Sequence, residues 1–177
     1  YDDMLAMPDP EPLVEGLIFK QTSALLFGKS NAFKSFLGID IACSVATGTD
    51  WHGHEVGQPA RVLYVATEGS RGVGKQRIPG WMEAHGIAPE LRHNIELFPD
   101  EVALDDPSWV DAVLQTAAVM KARETIKAGG KVPDLDGYQK GAYALIIVDI
   151  FGASMNGPET SDETARAWVR SVNRLMK

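Results

Sequence analysis

Cysteine is nearly absent from this chain of 177 residues: Cys43 stands alone, so no internal disulfide can form. It lies in an apolar run, which points to a small buried side chain rather than a reactive thiol. Long apolar stretches are missing as well. No run approaches the ~18 residues of a membrane-spanning helix, and no secretory leader is visible at the start. A cytoplasmic protein without a membrane partner is the expectation. Positive charge is also short, with 17 Lys and Arg against 24 Asp and Glu, a formal net charge of −7. That argues against nucleic-acid binding by the surface as a whole. It says nothing against a few basic loops facing a channel, to which net charge is blind. The rest is ordinary: 45% hydrophobic and 23% charged residues describe a globular domain with room for a core.

Residues 1–12 hold Asp, Pro and Met without periodicity and read as an arm or linker, with one domain over 13–177. Within it, Thr22-Ser23-Ala24-Leu25-Leu26-Phe27 ends at Gly28 and predicts a buried parallel strand. Lys34–Thr47 predicts a helix apolar on more than one face, stopped by Gly48. Arg61–Ala66 is a second strand, followed by a helical stretch over Arg71–His85, and Asn94–Phe98 is a third. Asp106-Pro107 starts a helix towards Ala128, with Asp as N-cap and Pro at the first helical position. Gly129–Gly141 is a loop. Tyr143–Ile150 is a continuous β-branched run, expected as a strand buried on both sides. Thr160-Ser161-Asp162-Glu163 gives a capping box for a last helix. Strands alternating with helices, joined by connections too long for hairpins, mean an α/β fold with a mainly parallel sheet flanked by helices.

Gly28-Lys29-Ser30-Asn31-Ala32-Phe33-Lys34-Ser35 matches the phosphate-binding pattern G-x-x-x-x-G-K-[ST] at every fixed position but one, where Phe33 replaces the second glycine. The chemistry asks for a tight strand-to-helix loop whose amides, through Phe36, face phosphate oxygens at a helix N-terminus. Lys34 supplies a point charge for the β- and γ-phosphates, and Ser35 a hydroxyl for Mg2+. Phe33 is expected to keep a helical backbone and to point away from the phosphates. Asp149, at the carboxyl end of Leu145-Ile146-Ile147-Val148, is where a carboxylate would hold the magnesium shell. Glu68, just past Val62–Ala66, is placed to orient the water that attacks ATP; a solvated loop residue is the plainer reading. His52 and His54 lack a third ligand nearby, so a turn packed by Trp51 is expected there rather than a metal site. Arg71, Lys75 and Arg77 form a basic cluster read as a solvated helix face, with DNA or a neighbouring subunit as alternatives. Lys127, Lys131 and Lys140 lie in the loop and could line a channel.

The stretch from Leu13-Val14-Glu15-Gly16-Leu17 through the phosphate-binding loop to Phe36-Leu37 resembles the RepA-like ATPases of the RecA superfamily, the AAA_25 family, found in phages, prophages and plasmids. The resemblance continues through Ala46–Gly53 and Arg61–Gly69, reaches Arg77 and Trp81, and resumes at Ile146–Asp149. An F-K-S ending of the loop is familiar in that family. The resemblance implies a RecA-like P-loop NTPase fold and ATP and Mg2+ as cofactors. Lys34 and Ser35 take the phosphate and magnesium roles, Glu68 that of the catalytic glutamate, and Asp149 the Walker B role. It further implies a hexameric ring of this chain acting on single-stranded DNA as a replicative helicase. Such domains continue beyond the Walker B strand into further strands, a sensor and an arginine finger, whereas this chain stops one helix after Asp149, so a C-terminally incomplete domain is expected. A nucleotide-dependent regulatory switch, a small-molecule phosphotransferase and an assembly-only module are the competing readings.

Overall fold

Five apolar residues in succession, Val62–Ala66, form strand β3, and all five are buried. A run without polar alternation must be covered on both faces, and β3 is the middle strand of the three-stranded sheet that the described residues form. It pairs in parallel with β4 (Ile95–Phe98) on one side and β5 (Leu145–Asp149) on the other, with Ala66 opposite Asp149. The computed structural model describes residues 9–98, 103–113, 115–116, 143–149, 154, 156–158 and 161–175.

Side chains of β3 alternate between two cores. Val62, Tyr64 and Ala66 join Ile39, Ala42, Cys43, Val45 and Ala46 of helix α1 (Lys34–Thr47), with Val73, Ile78 and Met82 from the helices that follow β3. Leu63 and Val65 pack with Leu104, Val110 and Val113, against which Trp168 and Leu175 also lie. Val110 and Val113 come from helix α4 (107–113), Trp168 and Leu175 from helix α5 (Asp162–Leu175). The result is helices on both faces of a parallel sheet, the expected α/β class. Each fully buried Val or Leu contributes about 1.5–3 kcal/mol relative to exposure. A small antiparallel pair, β1 (Pro12–Val14) and β2 (Ile18–Phe19), adds Leu13 and Val14 to the first core.

Helix α1 starts and stops where the sequence predicts. Gly48 ends it at φ 68°, its N–H donating to the Ser44 carbonyl. A Cβ there would stand 2.9 Å from both the Gly57 oxygen and Pro59 Cδ, so glycine is required twice over. Cys43 is fully buried, and burial, with the Asp40 charge, pushes its thiol up to about 12. The helical stretch after β3 runs from α2 (Ser70–Gly72) through a π turn (Val73–Arg77) into α3 (Ile78–Ala84). Pro79 accounts for the wide turn: it has no N–H for the Lys75 carbonyl and its ring crowds that group. The chain responds with an i to i+5 bond from Ile78 N–H to the Val73 oxygen. Asp106 caps α4 through the Ser108 N–H at 2.9 Å. The expected continuation of that helix to Ala128 and the 129–141 loop with Lys131 and Lys140, like Lys127, fall outside the described residues. So does Thr160 of the capping box; Ser161 Oγ accepts the Thr164 N–H at 3.4 Å as α5 begins.

Two expectations are corrected. Thr22–Phe27 is not a buried strand: residues 22–29 join no strand ladder among the described residues, and Leu25, Leu26 and Phe27 are 66%, 51% and 85% exposed. A strand exists by its ladder, and a short apolar run gives the same signal whether or not a partner lies beside it. β5, in turn, is not buried on both sides but half-buried throughout. Among the described residues it has a strand neighbour only in β3.

Candidate functional site

The first turn of α1 lies at the carboxyl end of the sheet, the edge where parallel α/β sheets bind ligands. Its N-cap is Phe33, which offers no side-chain bond, and no acidic residue stands in the first turn. The first amides of the helix thus lack a side-chain acceptor among the described residues, and the helix dipole adds partial positive charge to them. The loop before it is closed by its own lysine: Lys34 Nζ donates to the carbonyls of Gly28 at 3.0 Å and Lys29 at 2.9 Å. Those neutral acceptors hold the ammonium at the mouth of the loop, where an anion would compete for it.

Phe33 departs from expectation. Its backbone is left-handed, at φ 57° and ψ 23°, rather than right-handed helical. Asn31 is left-handed too, at φ 62°. The loop therefore keeps the conformation that glycine would supply, and a residue with a Cβ bears it at a cost of about 1–2 kcal/mol. The Phe33 ring is 71% exposed and meets the Phe36 ring edge-on at 5.9 Å.

A carboxylate and a hydroxyl 114 positions apart meet beside this turn: Ser35 Oγ donates to Asp149 Oδ1 at 3.0 Å. Tyr64 donates its phenol to the other oxygen, Oδ2, at 2.7 Å. The Asp149 carbonyl accepts from both Thr67 N–H, at 2.9 Å, and Thr67 Oγ1, at 2.8 Å. Asp149 is thus fixed by its strand, by Thr67 and by Tyr64. Burial first, then the Asp149 hydrogen bond and charge, push the Tyr64 phenol far above its ordinary value, with Arg77 pulling the other way. The phenol stays a donor at any working pH.

Tyr64 and Thr67 were missed from the sequence. The signal was present: a tyrosine inside an all-apolar strand must find a partner for its hydroxyl, and it precedes Ala66, the residue opposite Asp149, by two positions on the same face. Glu68 leaves β3 two residues past Ala66, at the same edge as Asp149. It is exposed and makes no hydrogen bond or ion pair among the described residues, and Gly69 behind it, at φ 63°, starts α2. Hydroxyl and carboxylate oxygens at Ser35 and Asp149 are the hard donors magnesium takes, few in number because that ion keeps much of its water. Ser35 and Asp149 are brought together, with Lys34 next to Ser35 in the chain and its ammonium on the loop carbonyls; Glu68 shares their edge without touching them.

Behind the helix, Asp40 accepts from both indoles, Trp51 Nε1 at 2.8 Å and Trp81 Nε1, and faces His52 Nε2 at 3.0 Å. Burial acts to raise its pKa, but the bonds from Trp81, Trp51 and His52, with the His52 charge, outweigh that and hold the carboxyl below its ordinary value. Trp51 is also packed against the first core. His54 meets the Glu15 carbonyl at 2.9 Å instead of sharing a ligand set with His52. Among the described residues, no group of three or more His, Cys, Asp and Glu could hold a metal ion, and no helix is long and apolar enough to cross a membrane. Of the basic cluster, Arg71, Lys75 and Arg77 are all exposed, and Arg77 lies over the Phe36 ring with its Cζ 4.6 Å from the centroid.

The AAA-domain family AAA_25 matches residues 2–177 of the chain. Among curated proteins and among solved structures nothing matches it.

Proposed function

The chain belongs to the AAA_25 family of AAA domains, and from that premise we propose that it binds Mg-ATP at Gly28–Phe36 and hydrolyses it as a DNA-dependent motor of the hexameric replicative-helicase type. The observation that carries nucleotide binding is the Ser35–Asp149 hydrogen bond at an uncapped helix N-terminus. It sets a hydroxyl and a carboxylate side by side where phosphate would be drawn.

In this reading, the amides of Gly28, Lys29, Ser30, Asn31, Ala32, Phe33, Lys34, Ser35 and Phe36 cradle the phosphates. Lys34 leaves the Gly28 and Lys29 carbonyls and pairs with the β- and γ-phosphates. Ser35 and Asp149 would hold Mg2+, whose charge would offset that of those phosphates. Tyr64 keeps one Asp149 oxygen bonded so that the other stays turned to Ser35. Glu68 orients a water for in-line attack on the γ-phosphorus: the new P–O bond forms as the bond to the β,γ-bridging oxygen breaks. ADP leaves with that oxygen, and the water's proton passes to Glu68. Lys34 and the loop amides stabilise the charge that spreads over the transferring group. ATP would sit at the interface between copies of the chain, and turnover would move loops on single-stranded DNA.

Steady-state hydrolysis with and without single-stranded DNA tests this. DNA-stimulated turnover abolished in both Lys34→Ala and Glu68→Gln supports the motor. Turnover that depends on Lys34 but ignores DNA refutes the motor and leaves a nucleotide-controlled switch.

A further inference from the structure

Arg77 is an exposed cation without a carboxylate partner among the described residues, yet it is held in place. Its guanidinium lies over the Phe36 ring with Cζ 4.6 Å from the centroid, a stacking that suits arginine's planar, weakly hydrated head and not lysine's. Phe36 directly follows Ser35 and is the third residue of α1, so the cation stands beside the phosphate-binding turn. Three further features aim it there. Side chains on a helix lean towards its N-terminus, and the helical stretch bearing Arg77 begins at Ser70 behind its N-cap Gly69, just past Glu68 at the sheet edge that carries Asp149. Arg77 closes the π turn set up by Pro79, a distortion that rotates it relative to an unbroken α-helix and is frequent at functional sites. Its charge also reaches the Tyr64 hydroxyl, the group bonded to Asp149.

We propose that Arg77 is a phosphate-contacting residue of this same chain, which recognises the terminal phosphate of ATP from the Phe36 platform and so makes the site prefer the triphosphate to the diphosphate. The inference rests on the Mg-ATP reading of the site. The loop amides serve phosphates common to ATP and ADP, and Lys34 bridges the β- and γ-phosphates, so a second cation on the γ-phosphate is what would separate the two nucleotides further. Arg77 lies on the helical stretch that follows Glu68, and in the Mg-ATP reading Glu68 marks the side of the γ-phosphate. The aromatic stack fixes a long side chain in advance, which lowers the ordering entropy of the contact. A charge-assisted guanidinium–phosphate bond is among the stronger hydrogen bonds available.

The test is calorimetric titration of Mg-ATP and Mg-ADP into wild type, Arg77→Ala, Arg77→Lys and Phe36→Leu, with circular dichroism confirming the fold of each. Expected is a loss of about tenfold or more in ATP affinity for Arg77→Ala with ADP affinity within about twofold, a partial return for Arg77→Lys, and a smaller loss of the same selectivity for Phe36→Leu. Equal weakening of ATP and ADP, or no change in either, overturns the inference and leaves the Mg-ATP site standing. A folded wild type that binds neither nucleotide overturns both.

Discussion

Phe33 is where loop conformation and sequence disagree, and replacing it measures the disagreement. At φ 57° and ψ 23° the residue sits in the left-handed region, which costs about 1–2 kcal/mol for a side chain with a Cβ. Phe33→Gly removes that cost, but a glycine also gives the unfolded chain more freedom, which takes back about 0.4–1 kcal/mol. Phe33→Ala keeps the strain and loses the ring, so the Ala-to-Gly difference isolates the backbone. It is expected at about 0.5–1 kcal/mol in favour of glycine, a rise in Tm of about 1–4 °C for a chain of this size. Phenylalanine should fall close to alanine, because its ring is largely exposed and its edge-on contact with Phe36 is a minor gain. Thermal unfolding of the three proteins by circular dichroism, without nucleotide, gives the order directly. An alanine variant as stable as the glycine variant would refute the strained-loop account.

Tyr64→Phe removes the hydroxyl that fixes Asp149. The Mg2+ concentration for half-maximal ATP binding should rise roughly tenfold, as for other groups that orient a metal-binding carboxylate, and an unchanged Mg2+ titration would detach Tyr64 from the site. Gly48→Ala combines left-handed strain with contacts at 2.9 Å to Gly57 and Pro59 and should destabilise by roughly 2 kcal/mol or more; a Tm within about 1 °C of wild type would contradict the helix stop described above. Asp40 carries a lowered pKa, so its stabilising contribution is full above the unfolded-state value of 3.8 and fades as the pH falls through the lower folded-state value. The stability gap between wild type and Asp40→Asn should therefore be constant near neutrality and narrow as the pH drops below 3.8, measured by denaturant titration; a gap independent of pH would mean that the indole bonds do not need the charge.

Periodicity and capping chemistry made most elements legible. Helix α1 and its glycine stop, strand β3, and Asp106 as a cap all depend on local residues, and local residues announce them. The strand at Thr22–Phe27 was misjudged because a ladder is a property of two segments, and only one of them lies in the run that is read. The half-exposure of β5 has the same origin: β-branched residues report that a strand forms, not how many neighbours it has. The Gly28–Ser35 loop was legible as a motif, while the left-handed turn at Phe33 was not, since a phenylalanine gives no hint of a glycine conformation. Register brought Tyr64 and Thr67 to Asp149, and register is invisible until β3 and β5 are laid side by side.

The central claim is a Mg-ATP site at the start of α1, and calorimetric titration of Mg-ATP into wild type and Lys34→Ala tests it most directly. Saturable binding at one site per chain, lost in Lys34→Ala while the fold by circular dichroism is unchanged, is the predicted result. Binding that survives the loss of Lys34, or its absence from folded wild type, would contradict the account.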